Sequence, residues 1–450
     1  MNKNILFIFN FGSELRQFVH SGLIEKLLLE KKKVFISSKH CEKEFIDCIP
    51  SEVNILPFYG EQNSYSFNII NSALNATSKS QLNFDPFKLS FRSVFSYLLN
   101  FIILFLINLF KYQKIRDLFI KIENIIAKRN YSNNWVSLLS ENNIDVLITT
   151  VPNINISLQS SALKLKVKRV LIFHTNKDLY SIDRFIIPYN KYGVWNYSMK
   201  ERLHSEFNIP INLIEIIGCL HFFYLMEDYI NTYTDLQIIT KNLVKNKSNQ
   251  FVYICGALNY NDEDVLVASF IDKCDKIFGN NYKIILRINP METRDIWDKF
   301  KSPRVDLMYP EWHYNKKSNF NYATSNDLRL FSSILLESKA IFGLPSTFFI
   351  ESSLLSTPFI LLLLNPNIRN TTSSSNIFNF WKQKIFDNAR CSKTILPIES
   401  SFDLEDIIYQ LKNNYQLLKL EQYDSFLENE IYYKKYSDTM SAHLNLLSEL

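Results

Sequence analysis

The stretch AIFGLPSTFFIESSLLSTPFILLLL, residues 340–364, predicts a strand, a tight turn, a helix and a second strand. A Gly-Leu-Pro break ends the first apolar run, and Ser346 or Thr347 can cap a helix that runs to about Leu355. Residues 359–364 form an unbroken apolar run, which suits a parallel strand buried on both faces. The order strand, helix, strand therefore predicts a unit of a parallel α/β sheet.

The start of this helix is suited to an anion. Ser346 and Thr347 follow Gly343 and offer hydroxyls beside free backbone N–H groups, and the first carboxylate is Glu351, one turn further in. A second predicted helix begins with the three carboxylates of residues 262–264, which would repel phosphate. We therefore expect Gly343, Ser346 and Thr347 around a nucleotide diphosphate and Glu351 on a ribose hydroxyl. An ordinary capped helix with a solvated glutamate is the alternative.

Length and composition favour a globular protein of two domains. The chain has 450 residues, of which 47% are hydrophobic and 21% charged. Its net charge of +5 is too small to indicate a nucleic-acid partner by itself. The six cysteines have no paired short spacing, which argues against a zinc site or disulfide framework and suits a reducing cytosol. The N-terminal apolar run is too short for a signal peptide, so we expect a cytoplasmic protein.

One segment complicates this expectation. Residues 94–110 are almost entirely apolar but fall short of the roughly 20 residues that span a bilayer. A basic amphipathic stretch follows, up to residue 129. A helix buried in the first domain is one interpretation. The other is that 94–129 lies on the cytoplasmic membrane surface, with its cations at anionic head groups.

Strand and helix signals alternate along both halves of the chain, which implies βαβ units and parallel sheets. We predict an α/β fold of two facing Rossmann-like, doubly wound domains with a deep cleft between them. The first domain covers 1–230, with a helical insertion at about 85–130, and includes one amphipathic helix over 15–29. The second, 231–420, binds the nucleotide, and a C-terminal helix in 421–450 packs back toward the first domain. Ligands of such sheets lie at the carboxyl ends of the strands.

Four passages resemble the GT-B glycosyltransferases of bacterial surface-polysaccharide biosynthesis, of capsule and O-antigen type. They are NFGSELR at 10–16, the passage with VWNYSMKERL and IIGCLHFFYL at 175–225, KIILRINPMET at 283–293, and the passage with DLRLF and AIFGLPSTFFIESS at 327–362. Each motif is weak alone, and their order and spacing make the match moderately specific. The resemblance implies two Rossmann-like domains, with a nucleotide-sugar donor held mainly by the second.

The chain departs from the family pattern in four places. Ser356-Thr357-Pro358 replaces Gly-Lys-Pro, and Asn289 stands where a histidine often precedes the proline. Cys219-Leu220-His221 replaces a small residue and proline after Gly218. Gly343 stands where many retaining members have a second glutamate, eight residues before Glu351. The donor and the stereochemical outcome of transfer are therefore open.

Further donor-site residues are expected in both halves of the chain. Arg287 ends an apolar strand, where a guanidinium can bind phosphate; a salt bridge at the sheet edge is the alternative. Trp312 and His313, expected in a loop, can contact the base or merely pack the loop. Gly218, which follows a predicted strand within the 175–225 passage of the resemblance, is expected near the nucleotide.

Glycosyl transfer needs a base for the acceptor hydroxyl and positive charge at the leaving diphosphate. Glu14, in a loop expected to face the cleft, and His174 and Asp178, after the RVLIFH strand, are the candidate catalytic residues. Arg16 and His20 are candidates for binding the acceptor, although a packed or capping role is the commoner one for His20. No Asp-x-Asp motif ends a strand, which fits the metal-independent chemistry that the resemblance implies, with no cofactor beyond the donor.

The sequence thus favours a glycosyltransferase that moves a sugar from a nucleotide donor to a glycan or lipid-linked acceptor. A non-hydrolysing sugar-nucleotide epimerase, which shares the fold and the diphosphate site, is one alternative. A polyol-phosphate transferase is another. A non-catalytic nucleotide-sugar-binding assembly protein is the third.

Overall fold

The computed structural model describes residues 3–61, 65–76, 106, 109, 113–232, 249–256, 263–290, 292, 295–315, 320–364, 377, 380–392, 394–413 and 420–449. The chain folds into two units, each with its own parallel sheet. The first contains Met1–Asn10, Gly22–Ile217 and His443–Leu450, and the second contains Phe11–Ser21 and Gly218–Ala442. The domain boundaries inferred from the sequence, 1–230, 231–420 and 421–450, remain a prediction.

The first unit is built on a seven-stranded, wholly parallel sheet in the order β3-β2-β1-β4-β5-β6-β7. Its strands are β1 (Asn4–Phe9), β2 (Lys33–Ser38), β3 (Asn54–Leu56), β4 (Val146–Thr149), β5 (Lys168–Ile172), β6 (Lys191–Val194) and β7 (Ile214–Ile216). The central strands are buried on both faces, as their continuous apolar runs predict.

The helices of the first unit follow the strands as crossover connections. They span Leu23–Leu29, Lys43–Ile46, Tyr65–Ala76, Gln113–Arg129, Asn133–Glu141, Ile156–Lys164, Asn176–Ser181 and Tyr197–Phe207, with a 3-10 turn at Ile211–Leu213. Trp135 and Leu139 of one helix and Leu158 of the next pack on Leu6 and Leu147 of the sheet. This apolar layer is one of the cores that sequence periodicity predicts.

The second unit has a six-stranded parallel sheet in the order β10-β9-β8-β13-β14-β15. Its strands are β8 (Gln250–Ile254), β9 (Lys283–Arg287), β10 (Val305–Met308), β13 (Ala340–Gly343), β14 (Phe359–Leu362) and β15 (Ile395–Ile398). The stretch that suggested the fold forms β13, the helix Phe348–Leu354 and β14, so this prediction is confirmed within one or two residues.

The remaining elements of the second unit surround this sheet. They are the π-helix Leu15–His20, the helices Glu227–Ile230, Glu263–Phe278, Ser325–Glu337, Phe348–Leu354, Asp387–Ser392, Ser401–Lys412 and Leu420–Glu430, the start of Tyr436–Ser448, and 3-10 turns at Leu220–Leu225, Asp295–Phe300 and Lys384–Phe386. A two-stranded antiparallel ribbon joins β11 (Trp312–Asn315) to β12 (Phe320–Ala323). The predicted loop at Trp312 and His313 is therefore wrong: alternation along such short segments is too brief a signal to identify a strand.

The segment Phe11–Ser21 lies with the second unit although it directly follows β1 of the first. The predicted single helix over 15–29 is wrong, because the π-helix ends at His20 and Gly22, at φ 78°, takes the left-handed conformation that breaks the helix. Gly12 packs directly on β12: a Cβ added there would stand 1.7 Å from the carbonyl oxygen of Asn321. The position tolerates only glycine without a shift of the backbone.

Several sequence predictions fall outside the described residues. Of the apolar segment 94–110, only Leu106 and Leu109 are described; Leu106 packs in a cluster with Ala73 and Leu74. Residues 233–248, which belong to the predicted second domain, are likewise outside them. Among the helices that the structure describes, none combines the length and apolar character needed to cross a bilayer.

Candidate functional site

A pocket of about 260 Å³ lies within the second unit at the carboxyl ends of β8 and β9. This is the edge where doubly wound sheets bind ligands. Its polar lining includes two arginines, Arg16 and Arg287, and two carboxyl groups, Asp327 and Glu351. Tyr224, Cys255, Asn289, Trp312, Asn321 and Thr347 also line it, with apolar side chains between them.

Arg287 is held by an ion pair inside this pocket. Its Nη2 donates to Oδ2 of Asp327 at 2.5 Å, and its guanidinium lies 4.8 Å from the ring centroid of Phe331. Both charged side chains are buried. The salt bridge weighed from the sequence is therefore present, yet Nη1 of Arg287 has no hydrogen-bond partner in the described part of the chain. Because a buried donor without a partner is costly, this N–H group is suited to a bound anion.

Asp327 accepts further hydrogen bonds besides the one from Arg287. Its Oδ2 also accepts from the indole Nε1–H of Trp312 at 2.9 Å, and its Oδ1 accepts from the backbone N–H of Glu311 at 3.0 Å. Its own N–H donates to Oγ1 of Thr324, the N-cap of the helix Ser325–Glu337. One carboxylate thus orients the arginine, the tryptophan and the helix start together.

Glu351 is buried rather than solvated. It is 3% exposed, and its Oε1 accepts from the hydroxyl of Tyr224 at 2.5 Å, while Oε2 has no hydrogen-bond partner among the described residues. Burial raises the pKa of Glu351 to about 7, although Arg16, Tyr224 and Arg287 oppose the shift. Near neutral pH this carboxyl can therefore either accept or donate a hydrogen bond to a ligand.

Arg16 reaches the same pocket from the Phe11–Ser21 segment. Its Nε donates to Nδ1 of His221 at 3.3 Å, and its guanidinium lies 5.6 Å from the ring centroid of Tyr224. The sequence predicts Arg16 as an acceptor ligand. In the structure it lines the same pocket as Arg287 and Glu351.

The start of the helix Phe348–Leu354 contributes less than its motif suggests. Thr347 is the N-cap and lines the pocket, but its side chain makes no capping bond; Oγ of Ser346 accepts from the N–H of Phe348 at 3.3 Å. The helix has only seven residues, so its dipole is a weak source of positive potential. The positive charge of the pocket comes mainly from its two arginines.

Four other predicted ligands lie outside the lining of this pocket. Gly218, at φ 69°, forms the turn before Leu220–Leu225 and packs against Tyr433. Gly343 ends β13. His313 stacks on Tyr322, with ring centroids 4.9 Å apart. The ring nitrogens of His20 lie 3.1 Å from the carbonyl oxygen of Ala323 and 3.0 Å from Oγ of Ser325, so His20 fastens the Phe11–Ser21 segment to the ribbon end.

The candidate base Glu14 does not lie in the predicted loop. It lies in the helical turn before Leu15–His20, is fully buried, and accepts from the backbone N–H of Phe11 at 2.8 Å. This bond closes the turn that carries Arg16. The geometry favours a structural role for Glu14, because its carboxylate already holds a backbone donor.

His174 and Asp178 lie together in the first unit, just past the carboxyl end of β5. Nδ1 of His174 is 3.0 Å from Oδ2 of Asp178, and both side chains keep a small exposed fraction. Asp178 is placed by the first turn of the helix Asn176–Ser181, which Thr175 caps by accepting from the N–H of Lys177. A carboxylate this close to an imidazole stabilises the ring when it takes a proton.

Two residues of the site were missed from the sequence. Asp327 had a local signal, since Thr324-Ser-Asn-Asp327 matches a capping box before an apolar run. Tyr224 had none, because it meets Glu351 across 127 positions of the chain. Within the described ranges, no group of three or more His, Cys, Asp or Glu side chains is arranged to hold a metal ion.

No family model matches the sequence, and a search of curated proteins finds no relative. Solved structures are similar over the whole chain. The UDP-GlcNAc 2-epimerase of Methanocaldococcus jannaschii is 10% identical with a TM-score of 0.53, and the alignment covers 100% of both chains. The UDP-GlcNAc 2-epimerase of Neisseria meningitidis, solved with UDP-GlcNAc, is 13% identical with a TM-score of 0.50, covering 99% of this chain and 100% of that one.

A glycosyltransferase from Rickettsia africae is 11% identical with a TM-score of 0.51, covering 100% of this chain and 98% of that one. At such identities the similarity shows the fold alone. The fold is GT-B. The prediction of two Rossmann-like α/β units is thereby confirmed.

The buried carboxyl of Glu351 predicts a dependence of stability on pH. Its pKa is raised on folding, so the folded state holds a proton that the unfolded state has lost between pH 4.5 and about 7. We expect the free energy of unfolding to fall across this range by on the order of 3 kcal/mol from this group. Urea unfolding at pH 5 and pH 7.5 measures it.

Glu351→Gln removes this titration. The fall in the free energy of unfolding from pH 5 to pH 7.5 should therefore be smaller by on the order of 3 kcal/mol than in the wild type. Glu428→Gln, at an exposed helix position, is the matched control and should leave the dependence as in the wild type. An unchanged pH dependence in Glu351→Gln would show that this carboxyl is ionised throughout the range.

Proposed function

We propose that the protein is a glycosyltransferase that transfers a sugar from a nucleotide-activated donor to a glycan or lipid-linked acceptor. The observation that carries this is the pocket of the second unit, which groups Arg16, Arg287 and Glu351 at the carboxyl ends of β8 and β9. Two guanidinium groups suit a diphosphate, and a carboxyl with one unpartnered oxygen suits a ribose hydroxyl. The volume of about 260 Å³ is close to the ~300–1,000 Å³ of small-molecule sites.

In this proposal the two arginines stabilise the diphosphate leaving group. As the bond from the anomeric carbon to the diphosphate oxygen breaks, negative charge grows on the diphosphate, and Arg16 and Nη1 of Arg287 stabilise it. The acceptor oxygen forms the new bond to the anomeric carbon and gives up its proton. Two cationic side chains make this a metal-independent transfer, with the nucleotide sugar as the co-substrate.

We assign the removal of that proton to His174. Oδ2 of Asp178 lies 3.0 Å from Nδ1 of His174, and its negative charge stabilises the imidazolium that forms when the ring takes the proton. Of the candidate bases, His174 keeps an exposed fraction and a neighbouring carboxylate, whereas Glu14 is buried on a backbone donor. His174 is therefore the stronger assignment.

A nucleotide panel tests the donor site. One of UDP, GDP, CDP and TDP should raise the melting temperature by about 2–4 °C at saturating concentration, because it binds only the folded state. Arg16→Gln should remove most of the shift. Arg329→Gln, exposed on the helix Ser325–Glu337, is the control and should keep it. If no diphosphate stabilises the wild type, the proposal fails.

The fold supports a sugar-nucleotide epimerase as well as a glycosyltransferase, because it is also the fold of the two epimerases. The two activities differ in their products. An epimerase converts UDP-GlcNAc into a stereoisomer without an acceptor and without loss of UDP, whereas a transferase releases UDP. Proton NMR of UDP-GlcNAc incubated with the protein separates them: a new anomeric signal at constant UDP-sugar would favour the epimerase. A polyol-phosphate transferase would release CMP, and a non-catalytic assembly protein would bind and release nothing new.

We further propose that the acceptor belongs to a bacterial surface polysaccharide of capsule or O-antigen type, and that 94–129 contacts the cytoplasmic membrane surface. In the described part of this segment, Gln113–Arg129, one face carries exposed Lys114, Leu118, Lys121, Ile125 and Lys128. Leu118 and Ile125 are 55% and 54% exposed, and such a face suits anionic lipid.

Vesicle flotation tests this placement. The protein should float with vesicles containing phosphatidylglycerol and less with phosphatidylcholine alone, and Leu118→Ser with Ile125→Ser should reduce it. Leu29→Ser, at a residue 82% exposed on another helix, is the control. Flotation that neither lipid charge nor these substitutions alter would count against a membrane contact of this helix.

A further inference from the structure

His221 lies beside the pocket without lining it. Its Nδ1 accepts from Nε of Arg16 at 3.3 Å, and both side chains are partly buried. An N–H donor can bond only to an unprotonated ring nitrogen, so His221 is neutral here, with its proton on Nε2. The sequence marked His221 only as part of a departure from the family pattern, in Cys219-Leu220-His221.

The backbone around His221 holds this residue in a defined position. Gly218 turns the chain in the left-handed region, and the 3-10 helix Leu220–Leu225 follows at once. The buried sulfur of Cys219 accepts from the backbone N–H groups of His221 and Phe222, and burial raises the pKa of this thiol. The ring of His221 meets Phe222 edge to face, with centroids 5.3 Å apart. The imidazole is therefore an acceptor held in one place.

The contact with His221 leaves the terminal guanidinium nitrogens of Arg16 available to a ligand. An arginine side chain has several rotatable bonds, and ordering it on binding costs affinity. The bond to His221 uses Nε, so the two terminal nitrogens remain for a ligand in the pocket. The same 3-10 helix also carries Tyr224, which holds Glu351. One short element thus orients both of these pocket side chains.

We propose that His221 is a positioning residue of the nucleotide site, which orients Arg16 toward the diphosphate of the ligand. The inference rests on the proposed function, because it assumes that a diphosphate occupies this pocket. It predicts a loss that depends on Arg16 and on the phosphates, and not on the nucleoside.

The test compares UDP, GDP, CDP and TDP with their nucleosides by isothermal calorimetry on the full chain. His221→Leu should weaken the binding of the best-binding diphosphate about tenfold, because one hydrogen bond to a charged group contributes about that much to affinity. It should leave the matching nucleoside unchanged. His221→Asn should bind the diphosphate as the wild type does, because its Oδ1 stands close to the place of Nδ1 and accepts the same bond.

A double-variant cycle isolates the contact. In the Arg16→Gln background, His221→Leu should cause no further loss, since the group that it orients is gone. Melting temperatures without ligand check that each variant is folded. Wild-type affinity in His221→Leu, an equal loss in the Arg16→Gln background, or an equal loss for the nucleoside would each overturn the inference alone. A wild type that binds none of the four diphosphates would overturn the proposed function and this inference with it.

Discussion

Replacing Arg184 with Met is expected to lower the free energy of unfolding of the first unit by about 3–5 kcal/mol. Arg184 forms a bidentate ion pair with Glu123: Nε donates to Oε2 at 2.6 Å, and Nη2 donates to Oε1 at 2.8 Å. The side chain of Glu123 has no exposed surface, and that of Arg184 is 7% exposed. Removing the cation leaves a carboxylate in the interior without its partner, which is the costly way to break a buried pair.

The pair also ties together three parts of the first unit. Glu123 belongs to the helix Gln113–Arg129, and Nη2 of Arg184 reaches Oδ1 of Asn71 in the helix Tyr65–Ala76. Arg116, two turns earlier in the helix of Glu123, bonds to Asp183. Urea unfolding measures the loss, and hydrogen exchange should show lower protection in Gln113–Arg129 than elsewhere in the unit.

Two controls separate the unpaired charge from lost packing. Arg184→Met with Glu123→Leu removes both charges and should recover most of the stability. Arg304→Met breaks a pair with Asp275 at 2.7 Å whose side chains are about a third exposed, and should cost about 1 kcal/mol or less. If the double variant is as unstable as Arg184→Met, the packing of the guanidinium and not the buried charge is what stabilises this region.

Replacing His174 with Ala is expected to lower kcat by about 100- to 10,000-fold, the usual contribution of a general base. The proposal gives His174 the acceptor proton, because its ring lies 3.0 Å from the carboxylate of Asp178 and its side chain is 12% exposed. Affinity for the nucleotide should not change, because the donor pocket lies in the second unit. Release of the nucleoside diphosphate in the presence of acceptor measures kcat, and calorimetry measures affinity.

Asp178→Asn should have a smaller effect on kcat, since the amide can still contact Nδ1 but no longer stabilises the imidazolium that forms. His204→Ala is the control: its Nδ1 lies 3.0 Å from the carbonyl oxygen of Ile209, away from the His174 and Asp178 pair. An activity above half of the wild type in His174→Ala would remove the histidine from the mechanism.

The local patterns of the sequence determined most of the secondary structure. β13, the helix Phe348–Leu354 and β14 follow from an apolar run, a Gly-Leu-Pro break and a second run, because burial on both faces leaves a continuous apolar signature. The helix over 15–29 failed, since a pattern of apolar residues does not reveal whether a glycine takes a left-handed conformation.

The binding roles inferred from the sequence stay predictions, and the structure shows only which of these residues line the pocket. Arg287, Thr347 and Glu351 line the pocket as expected, because the carboxyl ends of parallel strands and the helix starts after them meet at one edge. Ser346, Gly343, Gly218 and His313 do not line it. Whether a side chain at such an edge points into the pocket depends on neighbours that no short motif contains.

The sequence by itself thus determined two parallel α/β units, and it predicts an anion site at the strand ends of the second. Tertiary structure alone decided that the Phe11–Ser21 segment joins that unit and brings Arg16 to the pocket. It also decided that Glu351 is buried on Tyr224 and Arg287 is paired with Asp327. The reason is physical: periodicity reports burial along one element, whereas the pKa of a carboxyl or the direction of a guanidinium depends on partners that only folding brings near.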